Sequence, residues 1–180
     1  EGLYQHYKAI AEQGGLPVII YNIPGRSVVD MSVETMARLA KLPNIVGVKD
    51  ATANLVRPLH QKRDCGEDFC QLSGEDHTAV AFLASGGHGC ISVSANVAPR
   101  LCAEMHEAWQ AGNTKKAMAI QERLLPVHDA MFCETSPGPV KYAASLLGKS
   151  TEFCRLPLAP VSAANKTRVR AALVSAGLLN

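Results

Sequence analysis

The 180 residues are 47% hydrophobic and 19% charged, with a mean hydropathy of +0.03, enough apolar material for a packed core, which excludes a disordered chain. Eighteen Lys and Arg against 16 Asp and Glu leave a charge of +2 without a basic run, so no nucleic-acid partner is expected. No apolar stretch approaches the roughly 18 residues of a membrane span, so no membrane partner is expected either, and the length suits one domain or a core with an appendage.

The chain opens on Glu1 with no visible signal peptide. Leu3, Tyr7, Ile10 and Ala11 recur at helical spacing and predict a helix over 2–13, stopped by Gly14-Gly15. Pro17 to Tyr21 is a continuous apolar, β-branched run, as expected of a strand buried on both faces. Residues 22–31 read as a loop turning at Pro24-Gly25. Ser32 is a candidate cap for a helix whose apolar face runs from Val33 to Ala40. Ile45 to Val48 is the second buried strand. A helix follows from about Asn54, with Pro58 tolerated in its first turn. Residues 69–73 form a third strand, Asp76 can cap a helix reaching Gly86-Gly87, and 89–93 form a fourth strand. Beyond residue 96 only helices are expected, over 98–111, 114–132, 138–148 and 165–177, kinked or separated by Pro126, Pro137, Pro139, Pro157 and Pro160.

None of the six cysteines forms a CxxC pair. Cys90 and Cys102 read as small core residues. Cys65 and Cys70 flank a turn that a disulfide could close, but thiols in a chain with no export signal favour the reduced state and a cytoplasmic home. The six histidines lack metal-ligand spacing, and no metal is expected. His88 reads as structural, and the stripe of Leu101, Met105 and Trp109 as core or interface.

Strands alternating with helices predict a parallel α/β sheet with right-handed crossovers. Two architectures satisfy this pattern: a small open doubly wound sheet, or half of a (β/α)8 barrel followed by a helical tail. A complete barrel takes about 250 residues. In both, chemistry belongs beyond the C-terminal ends of the strands. There the sequence puts Tyr21 to Arg26, Lys49-Asp50, Ser73 to Asp76, and Ile91 to Val93. Lys49 closes an apolar strand, where burial disfavours the charged amine. A neutral amine attacks a ketone to give a carbinolamine and then an imine. Tyr21 can shuttle protons in those steps, and Arg26 can hold a carboxylate by its fork. Each residue also has a plainer reading. Lys49 can be a solvated strand end paired with Asp50, Tyr21 a core ring, and Arg26 a surface ion pair.

Four motifs in order carry a resemblance. They are Tyr21-Asn22-Ile23-Pro24-Gly25-Arg26, Gly47-Val48-Lys49-Asp50-Ala51-Thr52, Leu72-Ser73-Gly74-Glu75-Asp76, and Gly86 to Val93. Together they resemble the pyruvate-dependent class I aldolase and lyase family, above all its dihydrodipicolinate synthase branch. Similarity continues through Glu134 to Lys141 and Leu156 to Leu158. It implies the C-terminal half of a (β/α)8 TIM barrel over 1–112 and a C-terminal helical domain over 113–180. It also implies a cytoplasmic homotetramer that condenses pyruvate with aspartate semialdehyde on the route to diaminopimelate and lysine. In the resemblance Lys49 is the Schiff-base lysine and Tyr21 the catalytic tyrosine. Arg26 receives the semialdehyde carboxylate, and Gly74 and Ile91 line the pyruvate pocket. No metal or organic cofactor is implied, because the covalent imine on Lys49 is the electron sink.

Glu1-Gly2-Leu3-Tyr4 matches a point just past the family's fourth strand. The first half of the barrel is therefore expected to lie outside these 180 residues. With it would go a pyruvate-binding threonine, a tyrosine supplied across a subunit interface, and the residues that bind feedback lysine. Two alternatives stand beside the synthase. One is a related aldolase, such as an N-acetylneuraminate lyase or keto-sugar-acid aldolase, which Arg26 disfavours. The other is a non-catalytic half-barrel that assembles with itself or with a separately encoded first half, covering its open sheet edges.

Overall fold

The computed structural model describes all 180 residues, Glu1–Asn180. They form two compact units, Glu1–Ile91 and Ser92–Asn180. The first unit holds helices α1 (Gly2–Gly14), α2 (Pro24–Ser27), α3 (Val33–Leu39), α4 (Arg57–Cys65) and α5 (Ala79–Ala84), and strands β1 (Val18–Asn22), β2 (Ile45–Asp50), β3 (Cys70–Ser73) and β4 (Gly89–Cys90). α1 stops where Gly15 turns left-handed at φ 63°, a conformation that only glycine adopts freely. α3 starts as expected, with the Ser32 hydroxyl accepting from the Thr35 N–H at 3.1 Å.

The four strands are parallel and lie in the order β1-β2-β3-β4. A doubly wound sheet needs a point where strand order reverses. None occurs here, so that architecture is excluded. With sequential order, right-handed crossovers send every connecting helix to the same face. On that face Ile20, Met36, Leu39, Ile45, Val48 and Phe69 form a core with Ala11 and Met31, and Leu3, Tyr4 and Tyr7 of α1 pack against it.

The expectation that the strands are buried on both faces fails for the same reason. Ile19 and Tyr21, alternating with buried Ile20 and Asn22, are 43% and 45% exposed. All the helices of a singly wound sheet lie on one side, so a continuous apolar run marks two faces that tolerate burial, not two faces that are covered within these residues.

Several local expectations shift. The loop after β1 contains the single turn α2. α4 begins three residues later than expected, with Pro58 near its start. Asp76 does not cap α5 from outside but opens a 3₁₀ turn, Asp76–Thr78, that leads into it. β4 ends at Cys90, because after the Ile91 N–H bonds the Ser73 carbonyl at 2.9 Å the chain turns toward a 3₁₀ segment, Ser94–Asn96. Cys90 is half-buried and not core, and all six cysteines are free thiols. His88 is structural: its Nδ1 accepts from the Gln71 N–H at 2.9 Å.

The second unit is helical, with α6 (Pro99–Gln110), α7 (Thr114–Met131), α8 (Gly138–Leu146) and α9 (Ala163–Ser175). Leu101 and Met105 of α6 are buried, and α7 runs through Pro126 without ending. Val127, Ala130, Met131, Val140, Ala143, Val169 and Leu173 form its core. Both ends of α9 are tied down. Glu134 accepts from the Ser162 hydroxyl at 2.6 Å and from Asn165 Nδ2 at 2.7 Å, while Arg123 Nε donates to the Ala176 carbonyl at 3.1 Å.

Candidate active site

Parallel pairing puts Tyr21 opposite Lys49, and Lys49 opposite Leu72. Side chains of paired residues leave the sheet on the same face, here the uncovered one. Lys49 Nζ lies 4.0 Å from the centroid of the Tyr21 ring. The amine thus meets the negative face of the phenol, a cation–π contact. Its partial exposure corrects one expectation: the apolar enclosure foreseen around this amine is not supplied by these residues, because the face that carries it has no covering layer.

The plainer reading of Lys49 as partner of Asp50 also fails. Adjacent strand residues point to opposite faces, and Asp50 lies on the helix side, 3% exposed. Its carboxylate is fully engaged there. Oδ1 accepts from the Thr52 N–H at 2.9 Å and the Thr52 hydroxyl at 2.6 Å. Oδ2 accepts from Arg57 Nε at 2.9 Å and Gln61 Nε2 at 3.2 Å. Arg57 also donates through Nη2 to the Met31 carbonyl at 2.8 Å and lies 3.4 Å from Asp30. Asn22 completes the cluster, donating to Asp30 at 2.8 Å and accepting from the Met31 N–H at 3.1 Å. A buried carboxylate and guanidinium are tolerable only with partners of this kind.

The remaining expected site residues fall around the same sheet edge. Arg26 lies on α2, directly beyond β1, and is exposed. Gly74 and Ile91 continue the ladder past β3 and β4: the Gly74 N–H bonds the Asp50 carbonyl at 2.7 Å, and the Ile91 N–H the Ser73 carbonyl at 2.9 Å. Both therefore lie two residues beyond the level of Lys49. A Cβ on Gly74 would come within 2.7 Å of the Ala51 Cβ, so only glycine lets the strands approach this closely. Glu75, next in the chain, is a half-buried carboxyl. Burial pushes its pKa up; His77 and Lys49 oppose that rise, and Asp76 adds to it.

Sequence reasoning missed Arg57 and Gln61. The signal was available. α4 reads Arg-Pro-Leu-His-Gln-Lys-Arg-Asp-Cys, and its one aliphatic residue, Leu59, is 56% exposed. A helix with no apolar stripe that still packs on a sheet must do so with polar groups, and positions 57 and 61 share a face.

An α/β protein with singly wound parallel strands, an amine and a phenol in register and an arginine loop beyond them is thereby defined. Comparison with known proteins makes the class specific. The family model described as the dihydrodipicolinate synthetase family matches residues 1–176. The chain belongs to that family. It is 69% identical over 179 residues to the 4-hydroxy-tetrahydrodipicolinate synthase of Acidiphilium cryptum (strain JF-5), covering 99% of this chain and 61% of the relative. It is 66% identical to the synthase of the same name from Gluconacetobacter diazotrophicus, covering 100% of this chain and 61% of that one. Among solved structures, dihydrodipicolinate synthase from Thermotoga maritima superposes with a TM-score of 0.95 at 39% identity, over 99% of this chain and 62% of that chain. The chloride-inhibited enzyme of Acinetobacter baumannii, complexed with pyruvate, gives 0.94 at 41% identity, over 99% and 61%. The chain thus spans about three-fifths of the length of the curated relatives it matches.

Proposed function

We propose that these residues are the lysine-bearing part of a 4-hydroxy-tetrahydrodipicolinate synthase, a lyase of the class I aldolase type. It would condense pyruvate with L-aspartate 4-semialdehyde in lysine and diaminopimelate biosynthesis. The observation that carries this reading is the register of Lys49 against Tyr21 on the uncovered face, in a chain whose relatives of that name are 69% and 66% identical along its length.

In this reading the Lys49 nitrogen adds to the keto carbon of pyruvate. Loss of water gives the protonated imine, and loss of a methyl proton gives an enamine whose carbon attacks the semialdehyde carbonyl. The Tyr21 hydroxyl moves the proton at the carbinolamine and at the new alkoxide. Arg26 receives the semialdehyde carboxylate, and Gly74 and Ile91 bound the pyruvate. The electron sink is the imine itself, with no metal or organic cofactor.

Sequential strands with helices on one face support assignment of 1–112 to the C-terminal half of a (β/α)8 barrel, α6 being the helix after the fourth strand, and of 113–180 to a C-terminal helical domain. The uncovered face and the two unpaired edges, β1 and β4, fit a site that needs the rest of the relatives' length to enclose its amine. On this reading the 180 residues alone turn over slowly or not at all. Six free thiols fit a reducing cytoplasm, and a homotetramer is the proposed assembly. A substrate panel, run on these residues completed by the remaining length of the Acidiphilium cryptum relative, tests the assignment. Consumption of pyruvate only with aspartate semialdehyde is expected; cleavage of a sugar acid with no use of the semialdehyde would overturn it.

A further inference from the structure

Arg57 touches no group proposed to react, yet it joins the two loops that carry them. Its guanidinium reaches the last residue of β2 through Asp50 and the far end of the β1 loop through the Met31 carbonyl and Asp30. Asn22 closes the near end of that loop, bonding both Asp30 and the Met31 N–H. Arg26 lies between these two closures. The second loop is tied by the same carboxylate, since Asp50 Oδ1 holds both the N–H and the hydroxyl of Thr52.

Both loops are strained. Val28, two residues after Arg26, has φ 61°, and Ala53, next to Thr52, has φ 58°. Positive φ is unfavourable for any residue with a Cβ and most unfavourable for a β-branched one. Such conformations persist only where surrounding contacts over-determine them. Val28 is 91% exposed, so its own side chain contributes no packing that could hold it. Within the loop, the Val28 N–H caps α2 on the Pro24 carbonyl at 2.9 Å and the Ser27 hydroxyl bonds the Ile23 and Val29 carbonyls; the closures at Asn22 and Arg57 fix where this turn sits on the sheet.

We infer that Arg57 is a positioning residue: its buried fork locks the strained Arg26 loop to the end of the Lys49 strand, and so fixes where the second substrate's carboxylate is received relative to the amine. This rests on the roles proposed for Arg26 and Lys49. A lysine at 57 would keep the charge, but as a single point it could not span Asp50 and the Met31 carbonyl together.

The test compares the 180-residue chain with Arg57→Lys by amide hydrogen exchange, and follows the Arg26 Nε resonance during titration with succinate, an unreactive carboxylate probe. In the variant the Val28, Met31 and Thr52 amides should exchange about tenfold faster or more, while Val48 and Leu72 in the strand ladder change less than about twofold. Succinate should act on Arg26 about tenfold more weakly, with pyruvate trapping on Lys49 little changed. Unchanged exchange in the loops would overturn the inference. Should the variant's ladder also open, the same substitution is made in a Val28→Gly background. There the strain is relieved, so loop protection should return; loop and ladder amides exchanging alike would count against the fork. Failure of the functional reading is separate: it shows as no trapping of pyruvate on Lys49 in the unsubstituted chain, whatever the exchange results.

Discussion

The two faces of the sheet are built from alternate residues of the same strands, yet they differ in kind. On the helix side, Asn22, Asp50, Gln71 and Ser73 are buried, and the Asp50 carboxylate is matched by Thr52, Arg57 and Gln61. On the open side, Tyr21 and Lys49 are in contact through a ring face, with solvent reaching both. Fold stability resides in the first face and the proposed chemistry in the second. One register holds both, because Lys49 and Asp50 are neighbours in the chain.

Substitutions on the two faces should therefore separate stability from reactivity. The largest effect is expected from Asp50→Ala, which leaves the Arg57 guanidinium buried without its carboxylate. It should cost about 3–5 kcal/mol in urea unfolding, whereas Lys49→Met, on the open face, should change stability by less than about 0.5 kcal/mol. Equal losses would erase the distinction between the faces. Next in size is Tyr21→Phe. It keeps the ring under the amine and removes the hydroxyl, so unfolding should be nearly unchanged while imine formation with pyruvate slows about 10²-fold. A rate equal to that of the parent would remove Tyr21 from proton transfer.

Smaller effects lie at the loops that join the faces. Val28→Gly and Ala53→Gly should each stabilise the chain by about 0.5–1 kcal/mol by relieving positive φ, measured as a rise in the urea midpoint. Smallest is a pH effect at the end of α4. Burial pushes the Cys65 thiol up from 9.0 to about 11, with Asp64 adding to the rise. The folded chain thus holds this proton more tightly than the unfolded one. The resulting stability is complete below pH 9.0 and is lost as pH rises through about 11. Urea midpoints across that window should fall more for the parent than for Cys65→Ser; parallel curves would contradict it.

Much of the site was legible because it depends on local signals. Apolar runs marked β1 and β2, and the residues ending them, Tyr21 and Lys49, were bound to share a rim in any parallel sheet. Ser32 announced α3 through its own side chain. What escaped depends on partners distant in the chain. Whether Ile19 is buried depends on which face the crossovers cover, and the apolar run is the same in either case. Asp50 beside Lys49 suggests an ion pair along the chain, but strand alternation sends the two apart, and its true partner lies seven residues on in a helix with no apolar stripe. The one-turn α2 rests on local bonds from Ser27 and Val28 to the Ile23 and Pro24 carbonyls, a turn too short to show an apolar period.

The central claim is that Lys49 captures an α-keto acid on the open face. Incubating the chain with pyruvate and borohydride, then mapping peptides by mass, tests it most directly. The account predicts a reduced pyruvyl adduct confined to the peptide containing Lys49 and absent in Lys49→Met. An unmodified Lys49, or a label spread evenly over the exposed lysines, would contradict it.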